Sequence, residues 1–138
     1  MSKVIHFPKN VSIAFYSLIF LSLMKKKMNV EELAKYTHSS KNHTAMILKN
    51  LAKHGYLKSN RGPDGGFRLN IPAEEISLLK IWELIEGKFV IVNCLSHNKA
   101  CVKKICIFSD KIYHIHKGFY DFLQNNTIGS LANRLPDF

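Results

Sequence analysis

Hydrophobic and polar positions follow two different periods between residues 29 and 69. Apolar residues recur at three- and four-residue spacing near Leu33 and again from Ala45 to Ala52, which predicts two short helices. Residues 56–59 and 67–70 alternate like half-buried strands, and the glycine-rich residues 62–66 between them predict a turn. The pattern therefore predicts helix, tight turn, helix and β-hairpin in that order.

Capping residues set the limits of these helices. Asn29 suits the N-cap position, and Glu32 lies where the second residue of a capping box is expected. Ser39 or Ser40 can cap the next helix, and Gly55 stands where a helix end favours a left-handed residue.

Two further helices frame this central region. Residues 10–24 are apolar around most of a helical circumference, which predicts a helix buried from more than one direction. The stretch is too short to span a bilayer and lacks a leader cleavage site, so we expect a cytoplasmic protein without a membrane partner. Ser77 is expected to cap a mostly buried helix at residues 78–86, which Gly87 ends.

A heptad seam marks the C-terminal part of the chain. It consists of Ile105, Phe108, Ile112, Ile115, Phe119 and Phe122. This spacing predicts a helix of about twenty residues that packs along another helix. The expected partner is a second copy of the chain; the alternative is that the seam packs back on its own N-terminal domain.

The predicted fold class is mostly α with a small β-hairpin wing. Residues 1–87 would form a winged helix-turn-helix domain, residues 88–104 a cysteine-bearing loop, and residues 105–138 a dimerisation helix and tail. A last short turn is expected at residues 128–133, with Thr127 as its cap.

Charge favours a polyanionic partner for this domain. Twenty Lys and Arg residues oppose ten Asp and Glu, for a formal net charge of +10. The start of a recognition helix meets base edges in the major groove, and glycines in a wing allow close approach to phosphates. The alternative is a helical hairpin beside an exposed loop, with no nucleic acid. The candidate DNA-binding residues are Ser40, Lys41, Asn42, His43, Met46, Lys49, Arg61, Gly62 and Arg68.

Three cysteines lie close together after the winged region. Cys94, Cys101 and Cys106 have the spacing Cys-x6-Cys-x4-Cys. Thiolates at this density suit zinc or an iron–sulfur cluster, although the spacing matches neither a zinc ribbon nor a small ferredoxin. The alternative is three unmetallated thiols. Because no catalytic constellation accompanies them, an enzyme is not expected.

The chain resembles the Rrf2 family of winged-helix regulators. The matching residues are residues 61–69 of the wing, residues 76–78 and 85–87, the three cysteines, Thr127-Ile128 and Leu131-Ala132. The resemblance implies a homodimeric transcription regulator, usually a repressor. It also implies that residues 40–43 read the major groove and that Arg61 enters the minor groove.

By the same resemblance, Cys94, Cys101 and Cys106 would ligate an iron–sulfur cluster of the two-iron or four-iron type. The fourth ligand departs from the family pattern. Ser109 stands where some members carry a histidine, and Asn10 stands near where others carry an aspartate. The candidates here are Asp110, His97, His114, Asn10 and His6; the alternative is that no side chain of the protein supplies a fourth ligand.

Three functions follow from these observations. The first is a DNA-binding regulator that senses nitric oxide, redox or iron–sulfur status through the cluster. The second is a DNA-binding regulator whose cysteines form a thiol/disulfide switch or a zinc site. The third is a protein-binding adaptor that does not bind DNA.

Overall fold

A computed structural model describes residues 6–94, 107–108 and 110–135. These residues form helices and one two-stranded antiparallel sheet, as predicted. The elements are α1 (Lys9–Met24), α2 (Val30–Tyr36), α3 (Lys41–Lys53), β1 (Leu57–Asn60), β2 (Gly66–Leu69), a 3-10 turn (Ala73–Glu75), α4 (Leu78–Glu86), α5 (Lys111–Asn125) and α6 (Ile128–Ala132).

The predicted caps set the helix limits. The capping box is complete, since Asn29 Oδ1 accepts from the Glu32 N–H at 2.9 Å and Glu32 Oε2 accepts from the Asn29 N–H at 2.8 Å. Ser40, rather than Ser39, caps α3. Ser77 caps α4, and Thr127 caps α6. Each cap satisfies backbone donors that a helix leaves unpaired.

Helix α1 is the centre of the core. Val11 and Leu18 are fully buried, and most of the helix between them is buried too. The helix packs against α2, α3, α4, α6 and β2. Its predicted burial from several directions is therefore confirmed and is met within one chain. Each fully buried branched side chain contributes about 1.5–3 kcal/mol.

The predicted hairpin is present, and its two strands lie one residue nearer the turn than predicted. Leu57 pairs with Leu69 and Asn60 pairs with Gly66, so the predicted limits, residues 56–59 and 67–70, are wrong by one residue. The Met28 and Phe67 backbones exchange two hydrogen bonds beside β2, at 3.0 and 2.8 Å. A glycine at position 66 allows this approach, because a Cβ there would lie 2.7 Å from the Met28 carbonyl oxygen.

Helix α5 begins later than its heptad pattern predicts. The helix starts at Lys111, whereas Ile107 and Phe108 lie in a preceding turn. The prediction that the helix runs from Ile105 is thus wrong at residues 107 and 108, and Ile105 lies outside the described residues. The Lys111 N–H donates to the Phe108 carbonyl at 3.1 Å. An apolar residue in such a turn can keep the three- and four-residue spacing of the helix that follows. Spacing alone therefore does not distinguish the turn from the first residues of the helix.

The seam of α5 is divided between the core and the surface. Ile112 is buried, and Phe119 packs edge-on against Trp82 with ring centroids 5.4 Å apart. Ile115 and Phe122 are 39% and 38% exposed. One part of the seam therefore packs on its own chain, and the other part presents apolar side chains outward.

Helix α6 returns to the winged region. The Ile128 N–H donates to the Ile76 carbonyl at 2.9 Å, and the Leu78 N–H donates to the Asn126 carbonyl at 3.2 Å. The division at residues 87 and 105 stays a prediction, but these bonds join the tail closely to the first part of the chain. Among the described residues, no helix combines the length and the hydrophobicity needed to cross a bilayer.

Candidate nucleic-acid interface

Helix α3 has one buried face and one exposed face. Thr44, Ile47, Leu48 and Leu51 are buried toward the core. Lys41, Asn42, Met46 and Lys49 are exposed, with Met46 at 56%. Most of the predicted reading residues are therefore accessible to a duplex.

Three hydroxyl groups join the turn between α2 and α3. Ser39 Oγ lies 2.7 Å from Thr37 Oγ1 and 2.6 Å from Thr44 Oγ1, and the Thr37 hydroxyl donates to the Leu33 carbonyl at 2.9 Å. Thr44 is fully buried, so these bonds satisfy a polar group that would otherwise be costly. Sequence reasoning missed this role for Thr37, Ser39 and Thr44, although their run of hydroxyls between two helices was a visible signal.

His43 faces α1 as well as the helix start. The residue is half-buried, and its Nε2 lies 2.6 Å from Asn10 Oδ1. The recognition helix is thereby joined to the first turn of α1. Asn10, a candidate fourth ligand, is consequently part of the predicted DNA-reading end of its own chain.

Lys41 is paired with a carboxylate before any DNA arrives. Its Nζ lies 2.5 Å from Glu31 Oε1, and both side chains are exposed to solvent. The hydrogen bond from Lys41 holds the pKa of Glu31 below its ordinary value of 4.5. Lys41 must exchange this partner for a phosphate if it is to contact DNA directly.

The wing tip is a tight glycine-containing loop next to the exposed Arg61 side chain. Arg61 is exposed, and Gly62 has a φ of 105°, which an L side chain rarely adopts. The Gly65 N–H donates to the Gly62 carbonyl at 2.9 Å and closes the loop. At position 65 a Cβ would lie 2.7 Å from the Asn60 carbonyl oxygen, so the tight loop depends on glycine.

The cysteine region is only partly described. Cys94 is half-buried, whereas Cys101, Cys106 and His97 lie outside the described residues. No group of three His, Cys, Asp or Glu side chains suited to a metal ion occurs in the described part of the chain. The predicted cluster site therefore stays a prediction.

The other candidate ligands lie in different surroundings. Asp110 Oδ2 is 2.9 Å from His114 Nε2, and this hydrogen bond lowers the pKa of Asp110 below its ordinary value of 3.8. His6 lines a cavity of about 310 Å³ together with His116, Trp82 and Phe119. His116, which is not among the candidate ligands, accepts from the Val92 N–H at 3.3 Å, and this bond joins α5 to the segment just before Cys94.

Comparisons with known proteins agree on the class. The family model described as "Rrf2: Iron-dependent Transcriptional regulator" matches residues 7–134. The chain is 32% identical over 94 residues to the transcriptional regulator NsrR of Bacillus subtilis, covering 67% of this chain and 62% of that protein. It is 28% identical over 124 residues to NsrR of Geobacillus kaustophilus, covering 87% of this chain and 82% of that one.

Solved structures give the same fold at lower identity. CymR, the global cysteine regulator of B. subtilis, has a TM-score of 0.75 at 18% identity, covering 96% of this chain and 100% of that one. IscR of T. potens has a TM-score of 0.69 at 15% identity, covering 94% and 88%. These relatives are transcriptional regulators and not enzymes. The chain belongs to the Rrf2 family of winged-helix transcriptional regulators.

Proposed function

We propose that this protein is a homodimeric repressor that binds a double-stranded DNA operator through α3 and the wing. The observation that carries the proposal is the pairing of an exposed α3 face with a glycine-rich wing whose basic side chains, Arg61 and Arg68, are exposed. Neither arginine takes part in an ion pair with another described residue. Unpaired cations on an exposed wing suit contacts with phosphates or with a minor groove.

Arg61→Ala tests the DNA-binding proposal. The variant should weaken binding to duplex DNA by about 5- to 150-fold at fixed salt, since one specific contact contributes about 1–3 kcal/mol. Lys88→Ala, an exposed cation on the segment after α4, is the matched control for charge. Fluorescence anisotropy at one salt concentration measures both variants. If Arg61→Ala binds as tightly as the wild type, Arg61 has no part in binding.

We also propose that Cys94, Cys101 and Cys106 ligate an iron–sulfur cluster whose state sets DNA affinity. The support is the density of three thiols in one segment, the family description and the resemblance to NsrR proteins. When bound, such a cluster supplies redox and nitric-oxide chemistry that side chains lack. The candidates for a fourth protein ligand are Asp110, His114, His97, Asn10 and His6.

An anaerobic absorption spectrum with iron and sulfide analysis tests the cluster. Absorbance between about 300 and 450 nm is typical of thiolate-ligated iron, and it should vanish when the three cysteines are replaced by alanine. A colourless protein after reconstitution would overturn the cluster proposal and favour a thiol/disulfide switch or a zinc site.

Duplex binding that is weak and independent of salt would instead favour a protein-binding adaptor.

A further inference from the structure

Three consecutive lysines follow α1 and lie beside the wing. Lys25, Lys26 and Lys27 are all exposed. Lys25 closes α1 with a φ of 51°, and its N–H donates to the Leu21 carbonyl at 3.2 Å. Lysines are favourable at a helix C-terminus because of the macrodipole, so their presence alone does not indicate a ligand.

Backbone pairing fixes these lysines against β2. Met28, the next residue, exchanges its two backbone hydrogen bonds with Phe67. The Lys27 side chain passes over Gly66, since its Cγ lies 3.0 Å from where a Cβ of residue 66 would be. The three lysines are consequently held next to the wing by the backbone pairing of Met28 with β2.

A surface groove of about 550 Å³ lies between the lysines and the hairpin. Lys25, Lys26, Lys27 and Arg68 line it, and Glu74 is the one carboxylate that the described part of the chain adds to its wall. Among the described residues, none of these four cations takes part in an ion pair, whereas Lys41, Lys111 and Lys117 do. The groove therefore carries a net positive charge that no carboxylate among the described residues neutralises through an ion pair.

A second observation independently points to an anion. Lys58 and Arg68 are direct cross-strand partners, and both are exposed. Like charges directly opposite each other destabilise a hairpin, so this pair has a cost in the free protein. An anionic partner at the outer side of the wing would remove that cost.

Asn60 locates this groove relative to the recognition helix. It lines the groove beside the lysines, and it also lines a second concavity shared with Asn29, Lys41 and Gly62. The second concavity also contains Glu31, which pairs with Lys41, so the unpaired lysines Lys25, Lys26 and Lys27 lie on the other side of the wing. A wing in the minor groove, which is about 6 Å wide, is flanked by two sugar–phosphate strands.

We propose that the groove formed by Lys25, Lys26, Lys27 and Arg68 binds one of the two sugar–phosphate strands that flank the minor groove. It is the strand on the side of the wing away from α3, called here the far strand. This inference rests on the proposed DNA binding and extends its footprint beyond α3 and the wing tip. The contacts are to phosphates, so they strengthen binding to every sequence and leave sequence preference unchanged.

The test compares salt dependence of binding to mixed-sequence duplex DNA. The variant replaces Lys25, Lys26 and Lys27 by alanine, and the control replaces Lys80, Lys88 and Lys111, three exposed lysines outside α3 and the wing. Each lost phosphate contact lowers the magnitude of the slope of log affinity against log salt by about 0.9. The slope of the variant should therefore be smaller in magnitude by about 2 to 3 for each protomer. The control should lose clearly less.

A second variant separates charge from folding. Glutamine at the three positions keeps the side-chain stems and should reproduce the loss in slope, while the melting temperature stays near that of the wild type. A slope equal to that of the wild type, with Arg61→Ala still impaired, would overturn the far-strand contact and leave the proposed function intact. If the wild type itself shows no salt-dependent binding, both proposals fail.

Discussion

Lys41, on the exposed face of α3, is already paired with a carboxylate of the same chain before DNA binds. Its ammonium group is already bonded to Glu31, ten residues earlier in the chain. The pKa of Glu31 is lowered, so the pair is fully formed above the ordinary value and is lost only as the pH falls through the lowered pKa. At neutral pH the pair therefore competes with any phosphate for Lys41.

Glu31→Gln should strengthen DNA binding. Removing the carboxylate frees Lys41 and removes one negative charge near DNA, so the slope of log affinity against log salt should steepen by up to about 0.9 for each protomer. Glu86→Gln makes the same change of charge at the exposed end of α4 and serves as the control. Equal affinities for the two variants would mean that the Glu31–Lys41 pair does not limit binding.

At the scale of single residues, the sequence predicts contacts between near neighbours in the chain but not contacts between distant residues. The capping box of Asn29 and Glu32 is local and was predictable from spacing. The contact between His43 and Asn10 joins residues 33 positions apart and depends on how α1 packs beside α3. Spacing also predicted too early a start for α5, because Phe108 keeps the seam's period from within a turn.

The packing of α6 depends on the absence of a side chain at Gly129. A Cβ on Gly129 would lie 2.8 Å from the Glu74 backbone nitrogen and 2.9 Å from its Cα. Backbone atoms cannot move aside as a flexible side chain can. The short tail helix can therefore approach the 3-10 turn only because residue 129 is glycine.

Gly129→Ala should lower the free energy of unfolding by about 1–3 kcal/mol, the usual cost of overpacking. Gly118→Ala is the matched comparison, since Gly118 lies within α5 and a Cβ there meets nothing within 4 Å. That variant should gain up to about 1 kcal/mol from helix propensity. Urea denaturation of both variants gives the two values. Equal stabilities would show that α6 does not pack tightly on this turn.

At the scale of the whole molecule, the exposed part of the α5 seam suits a second copy of the chain. Ile115 and Phe122 remain over one-third exposed after the chain has folded. Regulators of this family are typically dimeric, and two recognition helices can reach successive major grooves only when two protomers are joined. The apolar surface and the DNA-reading surface are therefore expected to depend on each other.

Ile115→Glu should convert the protein to a monomer, because a carboxylate would be buried without a partner in the dimer. Gln124→Glu places the same charge at another exposed position of α5 and should leave the dimer intact. Sedimentation velocity measures the mass of each variant, and DNA affinity should fall together with dimerisation. A dimeric Ile115→Glu variant would place the interface elsewhere.

The most direct test of the whole account is the ratio of affinities for a selected operator and for mixed-sequence DNA. Genomic fragments that bind the purified protein would be selected, and the best duplex compared with a scrambled one at the same salt concentration. A sequence-reading repressor should prefer its operator by a factor of about 10³ or more. Equal affinity for both duplexes would contradict the account, because the protein would then bind DNA by charge alone.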